Sequence, residues 1–145
     1  MIRTGNEKLD KKNLVLPVAA ATKLNELTIA ALNESGYAVP GNKATGLVVA
    51  GCVQRCVDNS AGANGGASVE VRRGTFVWDN DGTIQKTDVL KMCYIAGPTS
   101  VTKTADGSSV AGRILAVEDD GVTVDMSDIA VSAPSAPASE KGEEG

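Results

Sequence analysis

The cysteines carry the most reactive side chains of the chain, and there are three of them, Cys52, Cys56 and Cys93. A cysteine nucleophile needs a base to form its thiolate, and the chain has no histidine for that role. On a strand, Cys52 and Cys56 would point to one face, with Cys93 as a candidate third metal ligand. Two thiolates do not complete a tetrahedral metal site. We therefore predict small buried thiols, with no catalytic residue, no metal and no cofactor.

Two acidic clusters have residue types suited to acid–base chemistry or calcium binding. The run Glu118–Asp120 precedes Gly121, and this order predicts a solvated hairpin turn rather than an acid–base pair. The run Asp79–Gly82 resembles the start of a calcium loop, whose twelfth position must be a bidentate glutamate. Counting from Asp79, the twelfth residue is Leu90. We therefore predict a hairpin-type turn at Asp79–Gly82 as well.

The remaining candidate motifs involve glycines and arginines. Gly41 and Gly46 have the spacing of phosphate-loop glycines, but Leu47 and Val48 replace the lysine and hydroxyl residue that such a loop needs. A nucleotide hydrolase is excluded on this basis. The adjacent Arg72 and Arg73 would point to opposite faces of a strand. Either one of them pairs with acidic groups of a neighbouring subunit, or the pair marks an ordinary exposed edge.

Composition excludes several partner classes for this chain of 145 residues. There are 14 basic against 18 acidic residues, a net charge of −4, and aromatic residues make up only 3%. Nucleic-acid binding needs a basic face and often stacking aromatics, so we expect no nucleic-acid partner. No segment approaches the roughly 20 apolar residues of a membrane span, so we expect no membrane partner. The odd number of cysteines predicts a reducing compartment.

The hydrophobic pattern predicts an all-β fold, a small barrel or sandwich. Short runs rich in β-branched residues alternate with turn residues throughout the central part of the chain. The apolar run 46–53 predicts a strand buried on both faces, and 67–72 alternates as a strand with one wet face. The alanines of 19–27 leave a helix open as an alternative. The glycine-rich segment 59–66 predicts a flexible loop.

Three zones follow from composition. Residues 1–24 are predicted to form an extended N-terminal arm, with a strand over 13–18 that Pro17 confines to a sheet edge or to the arm itself. Residues 25–131 contain most of the apolar β pattern and are predicted to form the β domain. Residues 132–145 are rich in alanine, proline and serine and then acidic, which predicts a disordered tail.

The segment from Leu27 to Met126 resembles the capsid decoration, or cement, proteins of tailed bacteriophages. The resemblance lies in the order of several segments, whose individual patterns are simple. These segments are the Gly-Leu-Val-Val-Ala-Gly run at 46–51, a glycine-rich loop, the strand 67–76 with its Gly-Thr-Phe end, a tyrosine-containing strand at 89–95, the 101–104 hairpin, the strand 110–115 and the closing strand 122–126. The likeness covers about 100 of the 145 residues.

This resemblance implies a β-tulip-like decoration domain that binds the outer surface of the major capsid shell and stabilises it against internal DNA pressure. It also implies self-association as a homotrimer, or alternatively a dimer, on virions assembled in the bacterial host cytoplasm. The chain would then be a structural protein and no enzyme. The residues that we expect to contact the capsid or a sister subunit are Leu14, Val15, Leu16, Pro17, Arg72, Arg73, Phe76 and Trp78.

Two other classes of function remain as alternatives. A surface-exposed ligand- or carbohydrate-binding β module of a phage particle would need aromatic side chains in a groove. Phe76, Trp78 and Tyr94 are the aromatic residues of the relevant strands, and alternation places Phe76 and Trp78 on the same face, toward the core. A cysteine-dependent enzyme is the third class, and it lacks a histidine base.

Overall fold

The computed structural model describes residues 13–127, which contain twelve β-strands and one short 3-10 helix, Lys86–Asp88. No helix within this range is long and apolar enough to cross a membrane. The strands are β1 (Asn13–Pro17), β2 (Thr22–Leu24), β3 (Ile29–Leu32), β4 (Ala38–Pro40), β5 (Val48–Val53), β6 (Val57–Asn59), β7 (Ser68–Arg72), β8 (Thr75–Asn80), β9 (Met92–Ile95), β10 (Ser100–Thr102), β11 (Val110–Glu118) and β12 (Gly121–Asp125).

The strands form an open sheet, a closed barrel and a small ribbon. The open sheet has the order β1-β7-β5-β3-β4, with antiparallel neighbours throughout. The barrel closes in the order β10-β8-β12-β11-β9, and its one parallel pair joins β10 to β8. Strands β2 and β6 form the ribbon. The predicted all-β fold with a barrel is therefore confirmed.

Two hydrophobic clusters fill the molecule, and β3 and β5 contribute to both. One cluster joins barrel residues such as Trp78 and Ile114 to side chains of β3 and β5, including Ile29 and Cys52. The other lies on the opposite face of the open sheet, under Val69 and Val71 of β7 and Val53 of β5. Strand β5 is thus covered on both faces, as its continuous apolar run predicts.

A β-bulge in β5 changes which face its side chains point to, so that β5 contributes residues to both hydrophobic clusters. In the register with β3, Ala30 lies opposite Gly51 and Ala31 lies opposite Val49, so β5 carries one extra residue at this point. Gly51 has a φ of +147°, and a Cβ built there would lie 2.3 Å from the carbonyl oxygen of Arg72. Glycine is therefore required at position 51, where the backbone of the neighbouring strand β7 lies very close to β5.

The structure corrects the prediction for the N-terminal arm. Residues 13–24, which the sequence places in the arm, form β1 and β2 and pair with β7 and β6. Residues 1–12 of the predicted arm and all of the predicted tail 132–145 lie outside the described residues. The helix alternative over 19–27 is wrong, because Ala21 and Leu27 have positive φ values and Ala19 bonds to the carbonyl of Ala38. Tertiary pairing outweighs alanine's helix propensity there.

The glycine-rich segment 59–66 forms a loop, as predicted, and hydrogen bonds join it to neighbouring segments. The buried Asn59 donates from its amide nitrogen to the carbonyls of Ala19 and Ala63, each at 2.9 Å. Gly65 N also donates to the carbonyl of Val18 at 2.8 Å. The loop is glycine-rich for a steric reason, since a Cβ at Gly62 would lie 2.0 Å from the Asn59 side-chain oxygen.

The two acidic turns differ in the structure. Glu118–Gly121 does join the antiparallel hairpin β11–β12, as predicted. Asp79–Gly82 spans the end of β8 and leads to the 3-10 helix, not to a strand paired with β8. The hairpin prediction is therefore wrong at this turn. Asn80 folds the turn instead, accepting hydrogen bonds from the backbone N–H groups of Gly82 and Ile84.

Candidate interaction surface

The strand pair β1–β7 presents an exposed face that we call the ledge. Leu14 and Leu16 lie opposite Val71 and Val69 and face the interior, and the intervening residues of both strands are exposed. Val15 is the most exposed large hydrophobic residue described, at 72%. The ledge consists of Asn13, Val15 and Pro17 of β1, Ser68, Glu70 and Arg72 of β7, and Arg73 at the corner that leads to β8.

The ledge exists because the barrel covers only part of one sheet face. Cys52 of β5 lies directly opposite Arg72 of β7, so both belong to the same face. Cys52 packs against barrel residues and is only 3% exposed, whereas Arg72 is exposed. The face therefore changes from buried to open within one strand spacing, about 5 Å.

The outer side of β1 is a free strand edge among the described residues. Val18 N donates to the carbonyl of Ala67, which fixes the alternation of the β1–β7 ladder. Backbone groups alternate in direction along an antiparallel strand, so those of Leu14 and Leu16 point to β7 and those of Asn13 and Val15 point away. Pro17, which lacks an N–H, falls on the outward side. The predicted edge position of Pro17 is confirmed.

The two arginines of the ledge have no carboxylate partner within residues 13–127. The ion pairs formed in that range, Lys91–Asp88 and Lys103–Asp88, lie elsewhere. The Nε atom of Arg73 is shielded from solvent and has no hydrogen-bond acceptor. A shielded donor without an acceptor costs about 1–3 kcal/mol. The ledge thus combines an apolar side chain, free main-chain groups, one glutamate and two arginines that form no ion pair within residues 13–127.

Four of the predicted contact residues do not lie on the ledge: Leu14 and Leu16 face the interior of the open sheet, and Phe76 and Trp78 belong to the barrel. Trp78 is 5% exposed, and its Nε1 donates to the Met126 sulfur at 3.2 Å inside the barrel. It is unavailable to a partner, so its prediction as a contact residue is wrong. Phe76 is half-buried, packs against the same cluster and lies 6.1 Å from the Trp78 ring centre. The expectation that both rings face the core is confirmed.

The cysteines do not form a site. Burial raises the pKa of Cys93 to about 12 and also raises the pKa of Cys52, so both thiols are protonated at neutral pH. Cys56 lies beyond the end of β5 and is exposed, so the predicted shared face with Cys52 is wrong. Within the described part of the chain, no group of three or more histidine, cysteine or acidic residues could hold a metal ion.

Tyr94 lines the groove that best fits the alternative of a sugar-binding module. The groove has a volume of about 270 Å³ and is walled by Leu47, Val48 and Val110. Its two serine hydroxyl groups are already engaged within the protein, with Ser108 Oγ accepting from Lys43 Nζ at 3.2 Å. Ser109 Oγ accepts from Leu47 N at 3.0 Å and donates to the carbonyl of Ala44 at 2.6 Å. The groove therefore offers a sugar an aromatic ring but few unengaged polar groups.

The predicted contact residues include four of the seven ledge residues. The other three ledge residues, Asn13, Ser68 and Glu70, are not among them. The alternating pattern of 67–72 predicts a wet face, and Ser68 and Glu70 belong to that face. Nothing in the local pattern says that β1 lies beside this strand, because that pairing joins segments far apart in the chain.

Comparison of the chain with protein-family models, curated protein sequences and solved structures found no match.

Proposed function

We propose that this chain is a capsid decoration protein of a tailed bacteriophage, which binds the outer surface of the major capsid shell and stabilises it against internal DNA pressure. The observation that carries the proposal is the ledge, where an open sheet ends in an exposed strand edge beside unneutralised arginines. The order of strand segments described above is a second and independent support.

The chemistry of the ledge suits binding to a protein shell. Free N–H and C=O groups of Asn13 and Val15 can pair with an extended segment of the major capsid protein, and Val15 adds apolar area. Arg72 and Arg73 can pair with carboxylates of the shell. Each contact is modest, but an oligomer that engages several capsid subunits at once gains strongly from multivalency.

Binding needs no reacting group, so the proposal makes the chain a structural protein and no enzyme. Its partners are the major capsid protein and other copies of itself, as a homotrimer. It is made in the bacterial cytoplasm and resides on the virion exterior. Light scattering should give a trimer, either in solution or after release from shells. A chain that stays monomeric in both states would contradict this part of the proposal.

Co-sedimentation with expanded, empty shells of the cognate major capsid protein tests the function. We expect saturable pelleting at a fixed copy ratio. Val15→Pro removes a single outward N–H and leaves the ladder to β7 intact, so it should weaken shell binding about tenfold. Val15→Thr retains the N–H group and should bind more tightly than Val15→Pro. Both variants should unfold at temperatures close to that of the parent.

Leu115→Ala provides the matched control for this experiment. Leu115 is 41% exposed on the barrel, away from the ledge, and its truncation should leave pelleting unchanged. Absence of pelleting by a folded parent chain would sink the decoration function. Pelleting that is equally insensitive to Val15→Pro and Leu115→Ala would remove the ledge from the contact surface.

The alternative is a surface-exposed ligand- or carbohydrate-binding module that uses the Tyr94 groove. The proposal of shell binding predicts no binding on a glycan array. It also predicts that Tyr94→Ala leaves shell binding unchanged, because the ring lines a groove between β9, β5 and β11 and not the ledge. Glycan binding that is lost in Tyr94→Ala would favour the alternative.

A further inference from the structure

The described part of the chain ends directly beside the ledge. Asp125 lies opposite Thr75 in the β12–β8 ladder, and Met126 N donates to the carbonyl of Gly74 at 2.9 Å. Gly74 follows Arg73 in the sequence. The segment 128–145 therefore leaves the barrel within two residues of the arginine corner.

The arginine side chains at this corner lack polar partners among residues 13–127. Arg73 Nε is shielded from water without an acceptor, and neither Arg72 nor Arg73 has an ion-pair partner in residues 13–127. A carboxylate placed at the corner would supply the acceptor and neutralise charge, since arginine binds carboxylates through paired donors.

The segment that starts at this corner has the complementary charge. Residues 128–145 contain four acidic residues, Asp128, Glu140, Glu143 and Glu144, against one lysine, a net charge of −3. From Ser127 to Glu140 an extended chain spans about 40 Å, more than twice the length of β1. Tethering beside the ledge gives the carboxylates an effective concentration on the order of millimolar.

We propose that the segment 128–145 docks on the ledge of its own chain, with its carboxylates on Arg72 and Arg73. Apolar residues that follow Asp128, Ile129 and Val131, are available to cover Val15. Docking neutralises the two arginines and shields the free edge of β1. If the ledge is the shell-binding surface, which rests on the proposed function, the segment is an intramolecular competitor that the shell displaces.

Paramagnetic relaxation enhancement in the full chain tests this docking without any capsid. A nitroxide is attached through Ser139→Cys in a Cys56→Ser background, because Cys52 and Cys93 are buried. At low salt we expect loss of amide peak intensity at Val15, Glu70 and Arg72. High salt should restore these peaks, because screening weakens the attraction between exposed charges.

Two sets of charge variants serve as controls. Glu140→Gln, Glu143→Gln and Glu144→Gln together should restore the ledge peaks at low salt, and so should Arg72→Gln with Arg73→Gln. Lys23→Gln with Lys43→Gln removes as much positive charge elsewhere and should leave the broadening in place. Broadening that persists unchanged in the arginine variant would overturn the ion-pair basis of docking.

Two further outcomes would overturn the proposal. One is a ledge whose peaks keep full intensity at low salt. The other is broadening that is reproduced in mixtures of isotope-labelled chain lacking the nitroxide with unlabelled, spin-labelled chain, which would place the segment of a second copy on the ledge. None of these results depends on shell binding, so failure of docking and failure of the proposed function are distinguishable.

Discussion

The barrel and the open sheet differ in whether their strand edges are paired. Every barrel strand has a partner on both sides, including β10, which closes the ring between β8 and β9. The open sheet ends at β1, whose outer side has no partner among the described residues. Closure removes the sites where another strand can add, so within residues 13–127 the open sheet, and not the barrel, offers an unpaired strand edge.

The two regions nevertheless share one hydrophobic cluster. Ile29 and Cys52 of the open sheet pack in the same cluster as Trp78 of the barrel. We therefore expect the two regions to unfold together, although the proposed contact surface lies on only one of them. Damage to the shared cluster should reduce stability in both regions, and damage to the ledge should affect binding alone.

The largest expected effect comes from Trp78→Ala in the barrel. Removing this buried ring, the chain's one tryptophan, should lower the free energy of unfolding by about 4 kcal/mol. Phe76→Ala removes a half-buried ring and should cost about half as much. Urea unfolding followed by circular dichroism measures both changes.

Amide peaks of β7 and β12 should disappear at the same urea concentration in Trp78→Ala. If the β7 peaks instead persist after the β12 peaks are lost, the barrel and the open sheet unfold separately and the shared cluster does not couple them.

A smaller loss in the free energy of unfolding is expected from substitution of glycines where the backbones of neighbouring strands approach most closely. Gly51→Ala places a Cβ against the Arg72 carbonyl at a φ of +147° and should cost about 3 kcal/mol. Gly112→Ala is the barrel counterpart, 2.4 Å from the Asp125 carbonyl, and should cost about the same. Gly36→Ala, with a positive φ but open space, should cost only about 1 kcal/mol. Equal losses in all three variants would attribute the effect to backbone conformation alone.

Local patterns in the sequence predict the longer strands, miss the short strands β2, β4 and β6, and predict strand partners poorly. The run 46–53 and the alternation of 67–72 predict β5 and β7 with their burial, because a side-chain period of two is a local property. The neighbour of an edge strand is set by packing between segments distant in the chain. That is why Leu14–Pro17 is recognisable as an edge strand from Pro17, while its place beside β7 is not.

The errors have physical causes of the same kind. Alanines at 19–21 favour a helix by propensity, but they form a turn in which Ala19 N donates to the carbonyl of Ala38 and Ala21 has a positive φ. Alternation along the strand already places the Trp78 ring toward the core, which conflicts with its prediction as a contact residue, and the closed barrel encloses the ring.

The smallest expected effect is a pH-dependent loss of thermal stability that arises in the barrel and leaves the ledge unchanged. The backbone N–H of Gln85 and the ammonium groups of Lys103 and Lys91 lower the pKa of the buried Asp88 carboxyl below its ordinary value. A carboxyl with a depressed folded-state pKa stabilises the fold above its unfolded pKa, about 3.9, and loses that contribution as the pH falls through the folded value. Asp88→Asn should therefore lower the unfolding temperature at neutral pH.

The difference between parent and Asp88→Asn should shrink below about pH 4, while Asp106→Asn, at an exposed carboxylate, should change little at any pH. Thermal unfolding between about pH 3 and 7 measures this difference. Asp88 connects the 3-10 helix to the end of β10, the short strand that closes the barrel, so its loss should leave the ledge's amide peaks in place. A destabilisation that stays constant across this range would assign Asp88 a packing role instead of an electrostatic one.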